Sequence, residues 1–267
     1  MSFLFRNCLI FAATTCLIWD TFLNFSDECQ YIWRTAVKMI YIFSRWFGIT
    51  MQIINCVWVS SPTLSHSELQ PETCQRWFGV QTLTLLTLLS ALEIILALRV
   101  FALYNQNRKI GIFLAIILLG AFVVSLIFGV LTLRSLDFDG NCSAPSSPRE
   151  VAYFSAVVIS VHSLMWGLTV HKRNFGSHDT LTRVPIVRLV MRDGAWVFIV
   201  VCSMIMAITP YSFVINVEAH IIYPWPTTLM SIFICRLILN MQHLKTDNPN
   251  IEPELTSCID LSSVNPF

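Results

Sequence analysis

Charge is scarce in this chain. Asp, Glu, Lys and Arg make up 12% of its 267 residues, while 55% are hydrophobic and the mean hydropathy is +0.65. A soluble domain of this length carries roughly 25% charged residues to keep its surface wet, so polar groups here are too few to cover a globule. A lipid-facing exterior is the economical reading, and it requires apolar runs of roughly 20 residues. Glycine is equally sparse, with nine residues that never fall in a G-x-G-x-x-G or Walker-type spacing, so no nucleotide cradle is encoded. The six histidines show neither H-x-x-x-H nor H-E-x-x-H spacing, and no C-x-x-C occurs. A membrane metallohydrolase would need such ligands converging. No catalytic, metal or cofactor-binding residue is therefore assigned, and the chain is read as not an enzyme. A net charge of +1 gives no sign of a nucleic-acid partner.

What the sequence does hold is seven apolar runs separated by polar breaks, over residues 3–25, 37–59, 78–104, 110–133, 151–170, 194–217 and 221–240. Each approaches spanning length, and backbone groups in lipid must be satisfied within their own segment, which makes the runs helices. The expected fold is all-α: a seven-transmembrane helix bundle over residues 1–244, followed by a polar, disordered tail over 245–267. The first run begins behind Arg6 as a secretory signal would, but it has no small-x-small cleavage site and continues to Phe25, so it is read as a retained helix. Lysine and arginine set the orientation. With the N-terminus outside and the C-terminus cytoplasmic, only Arg6, Arg76, Arg134 and Arg149 of the 17 cationic residues fall on the outer side. Arg99 then lies at the inner interface, where a long cation snorkels.

Intramembrane charges carry the most information, because each is costly unless paired or hydrated. Counting helical rise places Asp20, Arg45, Glu93 and Arg236 within roughly 5 to 13 Å of the cytoplasmic edge on four different helices. Two acids and two bases at one depth cancel. Such a cluster is either a fixed packing lock or a lock that rearranges during function. Helix three turns a stripe of Thr82, Leu86, Ser90, Ala97 and Tyr104 with Glu93, so the acid is expected to face into the bundle. His162, midway along helix five, is either a hydrogen-bonded packing residue or a lining of a ligand pocket or path. Glu218 and His220 form an outer vestibule or, with Tyr223 and Trp225, an interfacial belt.

Of nine cysteines, only Cys74 and Cys142 fall in outer loops, where an oxidising compartment favours a disulfide over two free thiols. Asn141 opens an N-x-S glycosylation acceptor whose middle residue is Cys142, so a disulfide there would hinder modification.

Four stretches carry a family resemblance: "WDTFLNFSDECQYIW" (19–33), "LRVFALYNQNRKI" (98–110), "RDGAWVF" (192–198) and "RLILN" (236–240). With them the chain resembles the multi-pass, seven-helix membrane proteins of mushroom-forming (basidiomycete) fungi that carry an N-terminal domain of unknown function. In that pattern stand an acid like Asp20, an acidic pair like Asp27 and Glu28, a tryptophan like Trp33 and an arginine like Arg45. The chain departs from it by placing Trp46 where tyrosine is usual, and it is shortened after Trp33. The resemblance implies a shared architecture and no activity.

The leading functional expectation is a receptor-like or sensor-like protein of the plasma membrane or another endomembrane. Its basic loop over residues 171–192 would meet a cytoplasmic partner or anionic lipid, unless that charge serves topology alone. The alternatives are a transporter or channel with a polar path past Glu93 and His162, and a structural or lipid-organising protein.

Overall fold

The computed structural model describes residues 3–31, 38–60, 71–104, 106–135, 143–144, 149–175, 185–214, 217–218 and 223–247. Seven helices fill this range: α1 Phe3–Tyr31, α2 Lys38–Ser60, α3 Pro71–Leu103, α4 Arg108–Ser135, α5 Arg149–Phe175, α6 Pro185–Val214 and α7 Pro224–Asp247. Four segments, Asn7–Phe25 in α1, Glu72–Leu103 in α3, Arg108–Arg134 in α4 and Val151–Lys172 in α5, are long and apolar enough to cross a membrane. Gly194–Thr209 of α6 is a shorter apolar segment. The described residues thus form a helical bundle in which four helices are long and apolar enough to cross a membrane.

α2 is helical over 23 residues and carries its polar side chains on one face. Its buried face consists of Tyr41, Ser44, Arg45, Gly48, Gln52, Asn55 and Val59, a clean stripe of three- and four-residue steps. Met39, Phe43, Trp46, Ile53, Ile54 and Val57 are exposed on the other side. The helix is inverted relative to one in a soluble protein, with polar groups inside and apolar groups outside. Only partners within the protein can satisfy them. Gln52 donates from Nε2 to the Pro224 carbonyl at 2.6 Å and to Thr228 Oγ1 at 2.8 Å, and Ser231 Oγ donates to the Ser44 carbonyl at 3.0 Å. These bonds tie α2 to α7.

α3 and α7 form the centre. α7 packs on α1, α2 and α3, and α3 also packs on α4 and α5. The largest apolar cluster joins Leu88, Leu92 and Ile95 of α3 to Val158 of α5, Val201 of α6 and Ile234 of α7. A second cluster joins Ala97 and Val100 to Leu114 of α4 and Val161 and Met165 of α5.

The α3–α4 connection is a tight turn in which Gln106 takes a left-handed conformation, with φ of 56°. Asn107 caps α4 by accepting the Lys109 amide on Oδ1 at 3.0 Å. At the other end of the bundle two short strands pair antiparallel, β1 (Ser143–Ala144) with β2 (Val217–Glu218), in the register Ser143↔Glu218 and Ala144↔Val217. This changes the expected boundaries. The sixth apolar run was read through residue 217, yet α6 ends at Val214 and Val217 belongs to β2, because this backbone finds its hydrogen bonds across the β1 ladder. α7 in turn runs on to Asp247, beyond the expected edge at 244. Residues 248–267 of the expected tail lie outside the described residues.

Gly48 marks the closest approach of α2 to α7. A Cβ built there would stand 2.7 Å from Ser231 Oγ and 2.9 Å from Ser231 Cβ. Gly48→Ala should destabilise the protein by about 1–3 kcal/mol through overpacking, and adding Ser231→Gly should recover most of that loss, as read by thermal unfolding in detergent.

Candidate functional site

Three polar arrangements stand out in the bundle, and the first is a triad of charges. Asp20 of α1 is buried at 3% exposure beside Arg45 of α2 at 1%. Arg45 donates from Nη1 to Asp20 Oδ2 at 2.9 Å and from Nη2 to the Asp20 carbonyl at 3.3 Å. Arg236 of α7 reaches the other carboxylate oxygen, Oδ1, from Nε at 3.0 Å and from Nη2 at 2.8 Å. One carboxylate thus serves two guanidiniums and joins three helices. Charge-assisted bonds of this kind are the strong ones, and low dielectric raises what is lost when one is broken. The Tyr41 ring, one turn before Arg45, lies 5.8 Å from its guanidinium and adds a cation–π contact.

Glu93 stands outside this triad, which corrects its expected place in a four-charge cluster. Depth along a helix was estimated well enough, but azimuth was not. Glu93 faces α4 and α5, whereas Asp20 meets Arg45 and Arg236 at the junction of α1, α2 and α7. Its basic neighbour is His162 of α5, whose Nδ1 lies 3.9 Å from Glu93 Oε1 with both side chains buried. His162 Nδ1 also lies 3.0 Å from the Val158 carbonyl. A carbonyl only accepts, so Nδ1 carries the proton and Nε2 is the open acceptor. Nε2 is buried and takes no hydrogen bond. The imidazole borders a small cavity of about 30 Å³ with Arg99 and Thr169, and Glu93 lies at the back of a groove of about 620 Å³ between α3 and α4. Arg99 does not snorkel outward as expected. It is buried at 5% exposure, donating from Nη2 to the Leu237 carbonyl and from Nε to Met241 Sδ at 3.2 Å, and so pins α3 to α7.

The third arrangement is a cavity of about 140 Å³ enclosed by α3 to α7 at the β1–β2 end, opposite the triad. Its wall is mostly apolar, built from Leu86, Phe154, Val158, Val201 and Met230 among others, and among the described residues no charged side chain lines it. Hydroxyl pairs interrupt this surface. Thr82 Oγ1 donates to the Phe78 carbonyl at 2.9 Å, so in its 2.8 Å contact with Tyr223 the phenol is the donor. Ser155 Oγ likewise donates to the Val151 carbonyl at 2.8 Å and receives Thr209 at 2.9 Å. Phe78 packs edge-on against Tyr223 with centroids 5.2 Å apart. Sequence reasoning named Thr82 on the Glu93 stripe and Tyr223 at the outer interface without joining them, and it passed over Ser155 and Thr209, since a lone Thr or Ser in an apolar helix usually bonds back to its own turn. The available signal was their clustering at one end of several runs. His162 does not line this cavity. Of the expected vestibule, Glu218 is fixed by its backbone in β2, while His220 lies outside the described residues, as do Asn141 and Cys142. Among the described residues no three His, Cys, Asp or Glu side chains are grouped to hold a metal ion.

A family model described as a family of unknown function (DUF6533) matches residues 8–50, which include Asp20 and Arg45. No curated protein and no solved structure matches the chain.

Removing the shared carboxylate should be the most damaging change in the triad. Asp20→Asn is expected to lower stability by about 3–5 kcal/mol, because it leaves a guanidinium buried without its counter-charge. Asp20→Leu combined with Arg45→Met should be less destabilised than Asp20→Asn alone. Thermal unfolding of the three purified proteins checks the order.

Proposed function

We propose that the chain is a seven-span receptor-like or sensor-like membrane protein, N-terminus outside and C-terminus cytoplasmic, in the plasma membrane or another endomembrane. On this reading it is not an enzyme, and its resemblance to the basidiomycete seven-helix proteins extends beyond the matched residues 8–50. The distribution of lysine and arginine supports the orientation. The inward polar face of α2 supports counting it as a span despite its hydropathy, and the buried Thr227, Thr228 and Ser231 do the same for α7. The basic segment 171–192 would contact a cytoplasmic partner or anionic lipid.

The observation that carries the receptor reading is the cavity of about 140 Å³ at the outer end. An apolar hole of about 150 Å³ stays dry and admits a benzene-sized molecule, so the ligand would be small and lipophilic. It would also be uncharged, because among the described residues no wall side chain carries a charge to compensate an ion. Each wall hydroxyl that donates to a neighbour keeps a lone pair, so a ligand with one hydroxyl donor fits best.

A Cys74–Cys142 disulfide would close this end of the bundle. Cys74 is buried in the first turn of α3 and is a bonded cysteine, while Cys8, Cys16, Cys56, Cys202 and Cys235 are free. That leaves Cys29, Cys142 and Cys258 as partners, and Cys142 adjoins β1 at the same end as Cys74. Asn141 would then remain unglycosylated.

Hexanol, with about seven non-hydrogen atoms, should raise the thermal midpoint of the purified protein at roughly millimolar concentration or below. Hexanoate should not, and Met230→Trp, which fills the cavity, should abolish the hexanol shift. Equal shifts with both ligands would defeat the reading.

A transport reading is favoured by a different observation, the Glu93–His162 pair with a groove on one side and a small cavity on the other. Under it, Glu93→Gln in reconstituted vesicles should abolish pH-driven uptake or proton leak while leaving hexanol binding unchanged. Wild-type vesicles no leakier than empty ones would remove this reading. A structural or lipid-organising role predicts neither ligand binding nor leak.

A further inference from the structure

The groove between α3 and α4 is apolar except at one point. Ile94 and Leu98 of α3 line it together with Leu118 and Leu119 of α4. Phe101 closes the end nearest the α3–α4 turn, packed so near Gly111 that a Cβ there would stand 2.8 Å from its Cε2. Ile94, Leu119 and Phe122 are exposed, so the groove opens away from the bundle, between two helices long and apolar enough to cross a membrane. Its volume of about 620 Å³ is that of a site for a drug-sized molecule.

The polar point is Ser90 with Glu93, one turn apart on α3, and both present acceptors. Ser90 Oγ donates to the Thr87 carbonyl at 2.9 Å and keeps its lone pairs. The Glu93 side chain is only 8% exposed, and among the described residues it accepts no hydrogen bond. The proton on His162 Nδ1, 3.9 Å away, is directed at the Val158 carbonyl instead. Nor does the imidazole serve well as a counter-charge, since a second proton would sit on Nε2, which is buried without an acceptor. A carboxylate so placed is costly until a cation reaches it. Among the described residues no side chain in the groove wall is a cation. The complement of this surface is a molecule that brings hydrogen-bond donors and a positive charge on an apolar body.

We propose that the groove between α3 and α4 binds a hydrophobic amine, whose ammonium group donates to Glu93 and Ser90 while its apolar body lies toward Phe101. From Glu93 to Phe101 the groove runs roughly 12 Å at helical rise, a length that suits a fused-ring body. A carboxylic acid would be repelled by Glu93, and an alcohol would satisfy an acceptor without supplying the charge. The site is separate from the outer cavity, and its occupancy requires no proton path past His162.

The test is calorimetric titration of the full-length protein in non-ionic detergent with dehydroabietylamine, dehydroabietinol and dehydroabietic acid, which share one tricyclic body. The amine should bind about tenfold more tightly than the alcohol, the margin of a charge-assisted over a neutral hydrogen bond, and the acid should not bind. Glu93→Gln should remove the amine's advantage, whereas Glu72→Gln, which removes an exposed acid of the same helix, keeps it. Ala115→Trp, at an exposed position in the groove wall, should block the amine and the alcohol alike. Met230→Trp, which fills the outer cavity, should leave amine binding unchanged, so failure of the receptor reading and failure of this site are told apart. Equal binding of amine and alcohol by the wild type, an undiminished preference in Glu93→Gln, or full amine binding by Ala115→Trp overturns the proposal. Tighter binding of the alcohol would make the ligand a neutral donor. A wild-type dimer that ignores the amine and that Ala115→Trp separates would make the groove a contact between copies; either outcome overturns the amine assignment. Should Glu93→Gln fail to fold, the wild-type preference and its loss in Ala115→Trp decide the matter.

Discussion

One carboxylate shared by two guanidiniums sets the geometry at one end of this bundle. A lone charge at that depth would be costly, so α1, α2 and α7 must present Asp20, Arg45 and Arg236 to a common point. That requirement fixes the rotation of three helices at once. One turn on from Arg45, Gly48 lets α2 approach Ser231, and further along Gln52 reaches the Pro224 carbonyl that opens α7. Arg99 extends the same logic to α3 by donating to a backbone carbonyl of α7. Hydrophobic attraction does not drive helices together in lipid, so polar contacts and close small-residue packing supply the specificity.

The two ends of the bundle solve the problem of buried polarity in different ways. At the triad end charge is neutralised by charge across helices. At the β1–β2 end the buried polar groups are hydroxyls and carboxamides, Gln52 and Gln81 among them, and several of the hydroxyls return a hydrogen bond to their own helix before contacting a neighbour. The second solution leaves no net charge and little strong directionality. A cavity can persist there because its walls do not attract one another strongly enough to close it, whereas the triad end is drawn shut.

Much of this was legible in the sequence, and what was not follows a physical pattern. Each of the seven apolar runs falls on one of the seven described helices, and four of these helices are long and apolar enough to cross a membrane. Depth was also readable: Asp20, Arg45 and Arg236 sit on turns that rise along the helix alone could place at one level. Azimuth was harder. On α3 the stripe through Thr82, Ser90 and Ala97 turned Glu93 into the bundle, where it is buried, but a stripe does not say which neighbour an inward side chain meets, and the acid faces His162 instead of the arginines. α2 was clearer, since its polar residues recur at steps of three and four. Contacts between distant turns, such as Tyr223 with Thr82 or Arg99 with Leu237, depend on how helices cross, which no single run encodes. The β1–β2 ladder was missed because two residues are too few to show an alternating pattern.

That ladder has a consequence for how the molecule moves. It bonds β1, which lies between α4 and α5, to β2, which lies between α6 and α7, so the two strands are held to one another. On the proposed receptor reading, entry to the cavity from that end would pass one joined strand pair. Traffic that slips sideways between helices from the hydrocarbon would be untouched by this fastening, so the two routes would respond differently to anything that tightens or loosens the strand pair.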